Sequence, residues 1–369
     1  MTQVPSMDAM LKPFESTKLS LKNRLVMAPM TRQFSPGGVP NQLVVDYYRR
    51  RAEGDVGLII TEGTTVDHPA ASFDDKIPNF HSEEALAGWK KVVDAVHEAG
   101  GKIAPQLWHV GCARKPGTGP NPEYPSATPS GYALPDKKVG EPLSADEIDS
   151  IVRAFATAAG KAKAIGFDAV EVHGAHGYLV DDFLWEGLNH RDDRYGGSMA
   201  GRSTFAADIV AAIRAEVGED FPIIFRFSQW KQQDYKAKLA QSPEELFDVL
   251  YPISEAGVDI FHCSTRRFWE PEFEGSELNL AGWTRKLLGK PVITVGSVSL
   301  NEEFISTFQG GSAESADIND LINRLAADEF DLVAVGRALI ANPDWLQAVA
   351  SGDQDKLKSF DKSLLAELV

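Results

Sequence analysis

Short apolar segments rich in β-branched residues alternate with longer amphipathic segments over most of the chain. Near-continuous apolar runs such as VGLII, PVITV and LVAVG are typical of parallel strands that are covered on both faces. The pattern predicts eight strands, which are Arg24–Met30, Val56–Thr61, Lys102–Trp108, Ala169–His173, Pro222–Phe227, Asp259–Ser264, Pro291–Gly296 and Leu332–Arg337.

The amphipathic segments between these strands predict helices. Ser144–Glu147 and Ser242–Glu245 fit the capping box that opens a helix, and Pro243 suits a first helical position. The pair Asn342-Pro343 predicts the start of the last helix in the same way. Glycines predict the ends of four helices, at Gly100, Gly166, Gly257 and Gly289. The predicted helices span roughly 41–53, 82–99, 145–165, 200–217, 243–256, 278–289, 318–328 and 343–351.

Eight alternations of strand and helix predict a parallel sheet. We expect a closed (β/α)8 TIM barrel formed by a single domain over residues 1–369, with a doubly wound open sheet as the alternative. Three connections that follow strands are long, namely 109–143, 174–199 and 265–277. In a barrel they lie on the C-terminal face, where active sites are found. We expect 109–143 to form an extended loop insertion over the active site.

Composition narrows the class of protein. The 37 Lys and Arg against 53 Asp and Glu give a net charge of −16, which disfavours nucleic acid and anionic membranes as partners. No apolar run approaches the about 18 residues of a membrane helix, and the first twenty residues do not resemble a signal peptide. With only Cys112 and Cys263, no disulfide framework is expected. We therefore expect a cytoplasmic protein whose two cysteines are reduced and mostly buried.

The fourth predicted strand leads into V-E-V-H-G-A-H-G-Y, which contains His173, His176 and Tyr178. Either histidine could be structural or could simply face solvent. The pair could also bind a metal, but catalytic zinc normally takes three protein ligands and no third one stands out by motif, so no metal is predicted. Two neutral imidazoles can instead hold a carbonyl oxygen that gains negative charge.

Polar residues and glycines gather at the predicted strand ends. Glycines at the ends of strands 7 and 8 leave backbone amides open to a phosphate, where barrels often bind that group. Each residue alone could belong to an ordinary barrel rim, but a bound ring with a phosphate tail accounts for all of them. The residues concerned are Pro29, Met30, Thr31, Gly63, Gln106, Trp108, Arg226, Gly296, Ser297, Gly336 and Arg337.

Five motifs in order along the chain resemble the Old Yellow Enzyme family of flavin-dependent ene-reductases. They are M-A-P-M-T-R, Q-L-W-H, H-G-A-H-G-Y-L, N-x-R-x-D-x-Y-G-G-S and V-G-R…N-P-D, and the resemblance covers nearly the whole chain. The resemblance implies a (β/α)8 barrel with FMN on its C-terminal face. It implies that Pro29, Met30 and Thr31 lie under the flavin ring, with Thr31 near O4 and N5. Gly63 should flank the ring.

The same resemblance implies roles for the remaining site residues. Gln106 should bond the pyrimidine end of the flavin, and Arg226 should lie by N1 and O2. Residues expected at the phosphate are Gly296, Ser297, Gly336 and Arg337. His173 and His176 match the family's oxygen-binding pair, with His173 also at the cofactor, and Tyr178 matches its proton donor. The expected substrate-binding residues are Trp108, His173, His176, Tyr178, Trp230 and Trp269.

Aromatic residues follow the predicted strands 5 and 6, at Trp230, Phe268 and Trp269. At least one should line the pocket, because aromatic walls suit flat conjugated ligands; the alternative is that they anchor these connections to the rim. The chain departs from the family pattern at Cys112–Arg114, Met199–Arg202 and Phe227–Lys231, which concerns the pocket rim and not the flavin-binding residues.

The resemblance implies a reaction in two halves. In the first half, NADPH or NADH gives hydride to FMN and leaves. In the second half, a small electrophilic alkene such as an α,β-unsaturated carbonyl compound takes hydride at its β-carbon, and Tyr178 protonates the α-carbon. Two alternatives are a flavin-free barrel enzyme acting on a phosphorylated metabolite and a non-catalytic flavin-binding protein. The first would need a basic Lys, a Schiff-base Lys or a metal cluster at a strand end. No strong candidate is present, since Lys102 starts its strand and Lys231 lies beyond the predicted end of strand 5. Monomer and homo-oligomer are both open.

Overall fold

The structure, a computed structural model, describes residues 7–302, 313–314, 316–353 and 356–369. Eight parallel strands pair in the order in which they occur along the chain and close into a barrel. The predicted (β/α)8 barrel is therefore confirmed, and the doubly wound open sheet is wrong. The strands are β1 (Leu25–Met27), β2 (Leu58–Thr65), β3 (Lys102–Trp108), β4 (Val170–His176), β5 (Ile223–Lys231), β6 (Ile260–Ser264), β7 (Val292–Val295) and β8 (Leu332–Val335).

The first strand is shorter than predicted. Ala28 still donates its N–H to the carbonyl of Val335, at 2.9 Å. Pro29 follows and has no N–H with which to extend the ladder, so β1 ends at Met27. Residues Pro29, Met30 and Thr31 consequently form the start of a loop, at the carboxyl end of the barrel.

Three strands are longer than predicted, and the first of them, β2, ends at Thr65 instead of Thr61. Strand β4 continues through a register shift between Gly174 and His176, and β5 continues to Lys231, which pairs with His176. Trp230 and Lys231 therefore lie on β5 itself, and the prediction that they follow the strand is wrong. The paired extensions of β4 and β5 lie on one side of the barrel mouth.

The helices that follow the strands are α1 (Gln42–Glu53), α2 (Glu83–Glu98), α3 (Ala145–Ile165), α4 (Met199–Val217), α5 (Pro243–Glu255), α6 (Leu280–Leu288), α7 (Asn319–Ala326) and α8 (Trp345–Ala350). The predicted capping box at Ser144–Glu147 is present. The prediction that Asn342-Pro343 opens the last helix is wrong, because the Asn342 side chain bonds the backbone of Lys358 and α8 begins at Trp345. Three short helices among the described residues, Asp8–Leu11, Leu179–Leu184 and Arg337–Ala341, were not predicted.

The barrel interior has an apolar lower layer and a polar upper layer. An N-terminal hairpin, Phe14–Glu15 with Ser20–Leu21, packs against the lower layer. Because inward-facing residues alternate along a strand, the next inward position lies two residues on. In the lower layer of four neighbouring strands these positions are Ala104, Ala169, Ile224 and Ile260. In the upper layer they are Gln106, Glu171, Arg226 and His262, all buried.

The N-x-R-x-D-x-Y-G-G-S motif joins two of the long connections. Asn189 donates to the carbonyls of Phe183 and Tyr195, at 2.6 and 2.7 Å. Arg191 donates to the carbonyls of Pro129 and Leu143, each at 2.7 Å. The motif thus holds the 174–199 connection together and fixes it to the end of the 109–143 connection. No helix among the residues described is long and apolar enough to cross a membrane.

Candidate active site

A chain of buried side chains crosses the upper layer of the barrel. The amide Nε2 of Gln106 donates to Glu171 Oε1 at 2.8 Å, and Nδ1 of His262 lies 2.6 Å from Glu171 Oε2. Arg226 lies on β5, between the strands of Glu171 and His262, and donates to Ser264 Oγ at 3.3 Å. Charged and polar groups from four strands therefore form the floor of the barrel mouth.

His173 and His176 stand at the carboxyl end of β4. Their rings meet edge to face with centroids 5.2 Å apart, and His176 Nε2 lies 2.8 Å from Ser264 Oγ. His176 has a left-handed backbone (φ +68°), and its N–H donates to Ser228 Oγ at 3.0 Å. This conformation turns the chain so that both rings occupy the same mouth, as the sequence predicts.

Both histidines are neutral near pH 7. Burial lowers the pKa of each imidazole well below its usual value, and the positive charge of Arg226 lowers it further. A neutral imidazole carries one N–H, which can donate to an oxygen atom. The pair can therefore stabilise a developing oxyanion with dipoles fixed by the surrounding structure.

Tyr178 lies beside the two histidines. Its ring is 5.0 Å from that of His173 and 4.8 Å from that of Trp108, edge to face in each case. Gln232 Nε2 donates to the phenol oxygen at 2.9 Å. Burial raises the pKa of Tyr178 to about 12, against the opposing effect of the Gln232 hydrogen bond. The phenol is therefore protonated at neutral pH and its hydrogen remains available for donation.

The geometry around the residues predicted to hold the flavin ring fits a bound polar ring. His173 Nδ1 and Arg226 Nε are buried without a hydrogen-bond partner among the described residues, although such atoms are normally satisfied. Gly63 pairs with Gln106, and a Cβ on Gly63 would come within 2.4 Å of Trp108 Cε3. The two unpartnered nitrogens suit a flavin, whose ring oxygens and nitrogens can accept hydrogen bonds.

Pro29, Met30 and Thr31 are partly exposed or exposed in the loop after β1. Glu62 holds the next two residues, since its Oε2 accepts the N–H groups of Arg32 at 2.8 Å and of Gln33 at 3.2 Å. Burial raises the pKa of Glu62 to about 7, against the lowering effect of these hydrogen bonds. No motif in the sequence indicates this supporting role.

The predicted phosphate residues lie together at the ends of β7 and β8. Ser297 Oγ donates to the carbonyl of Glu302 at 3.2 Å, and Arg337 Nη2 donates to the same carbonyl at 2.6 Å. Gly336 lies against Met30, and a Cβ on Gly336 would find Met30 Sδ at an ordinary 3.4 Å. The structure thus joins the predicted phosphate end to the predicted ring end of the site.

The four aromatic residues predicted for the pocket or its rim are not equivalent. Trp230 stacks on His176 with centroids 4.6 Å apart, and Trp108 is buried beneath Tyr178. Phe268 is also buried, and Trp269 packs against it at a right angle. In the part of the chain that is described, no ring contact joins Trp269 to the histidines or Tyr178. A pocket role for Trp269 stays a prediction.

Several residues at this site had no motif that could reveal them. Glu171 and His262 are polar residues in the middle of otherwise apolar strands, which was the one available signal. Ser228, Ser264 and Gln232 contact the histidines or Tyr178 only because the barrel brings distant strands together. Among the described residues, no group of three or more His, Cys, Asp or Glu side chains is arranged to hold a metal ion.

Comparison with known proteins identifies a family that matches most of the chain. Residues 9–356 match the family described as the NADH:flavin oxidoreductase / NADH oxidase family. The 12-oxophytodienoate reductase 7 of Oryza sativa subsp. japonica is 40% identical over 357 residues, which cover 92% of this chain and 86% of that protein.

Two further proteins show the same likeness. The NADH oxidase of Thermoanaerobacter brockii is 35% identical over 351 residues, which cover 92% of this chain, and the chain spans about half the length (50%) of that relative. The structure of morphinone reductase in complex with tetrahydroNAD superimposes with a TM-score of 0.81 at 29% identity, covering 96% of this chain and 93% of that chain.

Proposed function

This chain belongs to the NADH:flavin oxidoreductase / NADH oxidase family, in which it is an FMN-dependent, NAD(P)H-dependent oxidoreductase of the Old Yellow Enzyme type, and we propose that it reduces the C=C bond of α,β-unsaturated carbonyl compounds. The observation that carries the proposal is the cluster of a buried and a partly buried histidine, both neutral, and one protonated tyrosine at the barrel mouth.

When bound, FMN supplies the hydride chemistry, taking hydride from a reduced nicotinamide and delivering it to the alkene. Pro29, Met30, Thr31, Gly63, Gln106 and Arg226 would hold its ring, with His173 at one edge. Gly296, Ser297, Gly336 and Arg337 would hold its phosphate. The flavin-free barrel enzyme considered from the sequence does not fit this family, and Lys231 is buried in a salt bridge with Asp181 and is not a free amine.

His173 and His176 would bind the carbonyl oxygen of the substrate. Their N–H groups favour the oxygen more as it gains negative charge, which stabilises the transition state more than the ground state. Ser264 holds His176 from one side and Trp230 stacks on it from the other. These contacts fix the ring before the substrate arrives.

Tyr178 would protonate the α-carbon. Its oxygen accepts a hydrogen bond from Gln232 and so can stabilise the negative charge that the phenol gains as it gives up its proton. Trp108 supports the ring of Tyr178, and Trp230 and Trp269 are the proposed aromatic walls of the pocket. The 109–143 connection is proposed to cover this site. The relatives named for 12-oxophytodienoate and morphinone carry carbonyl compounds in their names, which supports a carbonyl substrate.

Anaerobic turnover with a panel of enones, nitroalkenes and maleimides tests the proposal. Each compound is offered with NADH and with NADPH, and consumption of nicotinamide is followed together with the saturated product. We expect enone-dependent oxidation of at least one nicotinamide, with the carbonyl group intact in the product. A holoenzyme that is reduced by nicotinamide but transfers hydride to none of these alkenes would contradict the proposed substrate class.

A further inference from the structure

Glu171 is a fully buried carboxylate in the floor of the barrel mouth. Each of its two oxygens has a partner, Gln106 Nε2 at 2.8 Å and His262 Nδ1 at 2.6 Å. An ionised carboxylate only accepts hydrogen bonds, so the two contacts suit the ionised form. The proposed reaction gives this residue no role.

His262 does not neutralise the negative charge of Glu171. Burial lowers the pKa of His262, the negative charge of Glu171 opposes this, and the positive charge of Arg226 adds to it, with the net pKa below the usual value. The imidazole is therefore neutral and donates Nδ1–H to Glu171. The Glu171–His262 pair carries one negative charge, and the neighbouring Arg226 carries one positive charge.

Arg226 depends on Glu171 for compensation of its charge. Arg226 forms no salt bridge within the described ranges, and its guanidinium donates to the hydroxyl of Ser264. Glu171 nonetheless acts on it through space across the interior, where charges interact more strongly than in water. A group bound at the barrel mouth therefore experiences the positive charge of Arg226 reduced by the negative charge of Glu171.

The hydrogen bond between Gln106 and Glu171 fixes the orientation of the Gln106 amide. Because the carboxylate of Glu171 cannot donate, the amide NH2 of Gln106 must face it, and the amide oxygen must face the other way. The pyrimidine end of a flavin carries one N–H between two carbonyl oxygens. An amide oxygen directed at that end can accept from the N–H, so Glu171 sets which atom Gln106 presents.

We propose that Glu171, besides orienting Gln106, lowers the reduction potential of the bound FMN by offsetting the charge of Arg226. Reduced FMN carries a negative charge that Arg226 favours and that Glu171 opposes. Glu171 therefore keeps the reduced flavin from being too stable to pass its hydride on. This inference rests on flavin binding at the proposed site but requires neither an alkene nor a nicotinamide.

Dye-equilibrated anaerobic titration of the holoenzyme measures the potential directly. Glu171→Gln removes the charge at constant shape, and we expect it to favour reduced over oxidised FMN at least tenfold relative to the wild type, a positive shift of about 30 mV for a two-electron couple. Glu171→Asp keeps the charge and should shift the ratio by less than threefold. Asp168→Asn is the control for the loss of a carboxylate elsewhere in the protein, because Asp168 pairs with Lys102 at the opposite end of the barrel and does not contact Gln106, Arg226 or His262.

Three outcomes would overturn the inference. In the first, Glu171→Gln changes the ratio of reduced to oxidised FMN by less than threefold. In the second, Glu171→Asp shifts the potential as much as Glu171→Gln does, which would assign the effect to geometry. If Glu171→Gln binds FMN weakly, the ratio of dissociation constants for oxidised and reduced FMN gives the same quantity; a folded variant that binds neither form would also overturn it. If the wild-type enzyme reduces no alkene and Glu171→Gln still shifts the potential as expected, only the proposed function is contradicted.

Discussion

Lys231 and Asp181 form a salt bridge in which Nζ lies 2.5 Å from Oδ1 and neither side chain is exposed to solvent. The other oxygen of Asp181 accepts the N–H of Gly177 at 2.7 Å. Gly177 and the preceding His176 both have positive φ, at 73° and 68°. The buried pair therefore supports the left-handed turn that carries His176 and leads into Tyr178.

Replacing Lys231 should destabilise the protein strongly. Lys231→Met leaves Asp181 as a buried carboxyl without its counter-charge, and we expect a loss of about 3–5 kcal/mol in the free energy of unfolding. Chemical denaturation of the variant and the wild type measures the difference. Lys90→Met is the matched control, because Lys90 pairs with Asp94 on the surface of α2 and such pairs contribute about 0.3–0.5 kcal/mol. Similar losses in the two variants would show that burial does not decide the strength of the Lys231 pair.

Phenols should bind to the oxidised holoenzyme as phenolates, because a phenolate oxygen resembles the oxyanion that the histidines are proposed to stabilise. A long-wavelength charge-transfer band should report the binding. His173→Ala or His176→Ala should each weaken it more than tenfold, since removing one such donor costs about 3–4 kcal/mol. His190→Ala, on the 174–199 connection beside Tyr132, serves as the control and should bind phenols as the wild type does. Unchanged phenol affinity in both active-site variants would give the pair another role.

Acid should destabilise the protein through its buried histidines. Burial holds the pKa of His109 well below the about 6.5 of an unfolded histidine, so below pH 6.5 the unfolded state binds a proton that the folded state does not. The contribution of such a histidine to the free energy of unfolding is then fully present above pH 6.5. Below that pH it falls by up to about 1.4 kcal/mol per pH unit per buried histidine. Urea denaturation at pH 7.5 and pH 5.5 measures the fall. His109→Gln should reduce the dependence on pH, and an undiminished slope in that variant would show that His109 titrates normally in the folded state.

The barrel was predictable from sequence because each strand is a local apolar run and each helix a local amphipathic one. The residues at strand ends were predictable for the same reason, since parallel strands bring their carboxyl ends to one face. The contact between Glu171 and His262 was not predictable, because it joins positions 91 residues apart and depends on the register of β4, β5 and β6. The continuation of β5 to Lys231 depends likewise on its pairing with the extended β4, which no local pattern contains.

Tyr178→Phe should separate the two halves of the reaction. The substitution keeps the ring that packs on Trp108 and His173 and removes only the hydroxyl that Gln232 holds. Reduction of the flavin by NAD(P)H should proceed at the wild-type rate, because no proton from this side chain is needed when hydride arrives. Reoxidation by a simple enone should slow by roughly 10²–10⁴, the usual contribution of a general acid.

A nitroalkene should distinguish proton donation from a packing role for Tyr178. The nitronate that forms after hydride transfer is stable enough to take its proton later from water, so reoxidation of Tyr178→Phe by a nitroalkene should slow far less than reoxidation by an enone. Stopped-flow absorbance of the flavin measures each half separately, and Tyr251→Phe, on the exposed face of α5, controls for the loss of a hydroxyl as such. Equal slowing of both halves would make Tyr178 a structural residue. If Tyr178→Phe is reoxidised by an enone at the wild-type rate, another group donates the proton. The phenol of Tyr178, whose pKa is raised to about 12, would then stay protonated throughout the reaction.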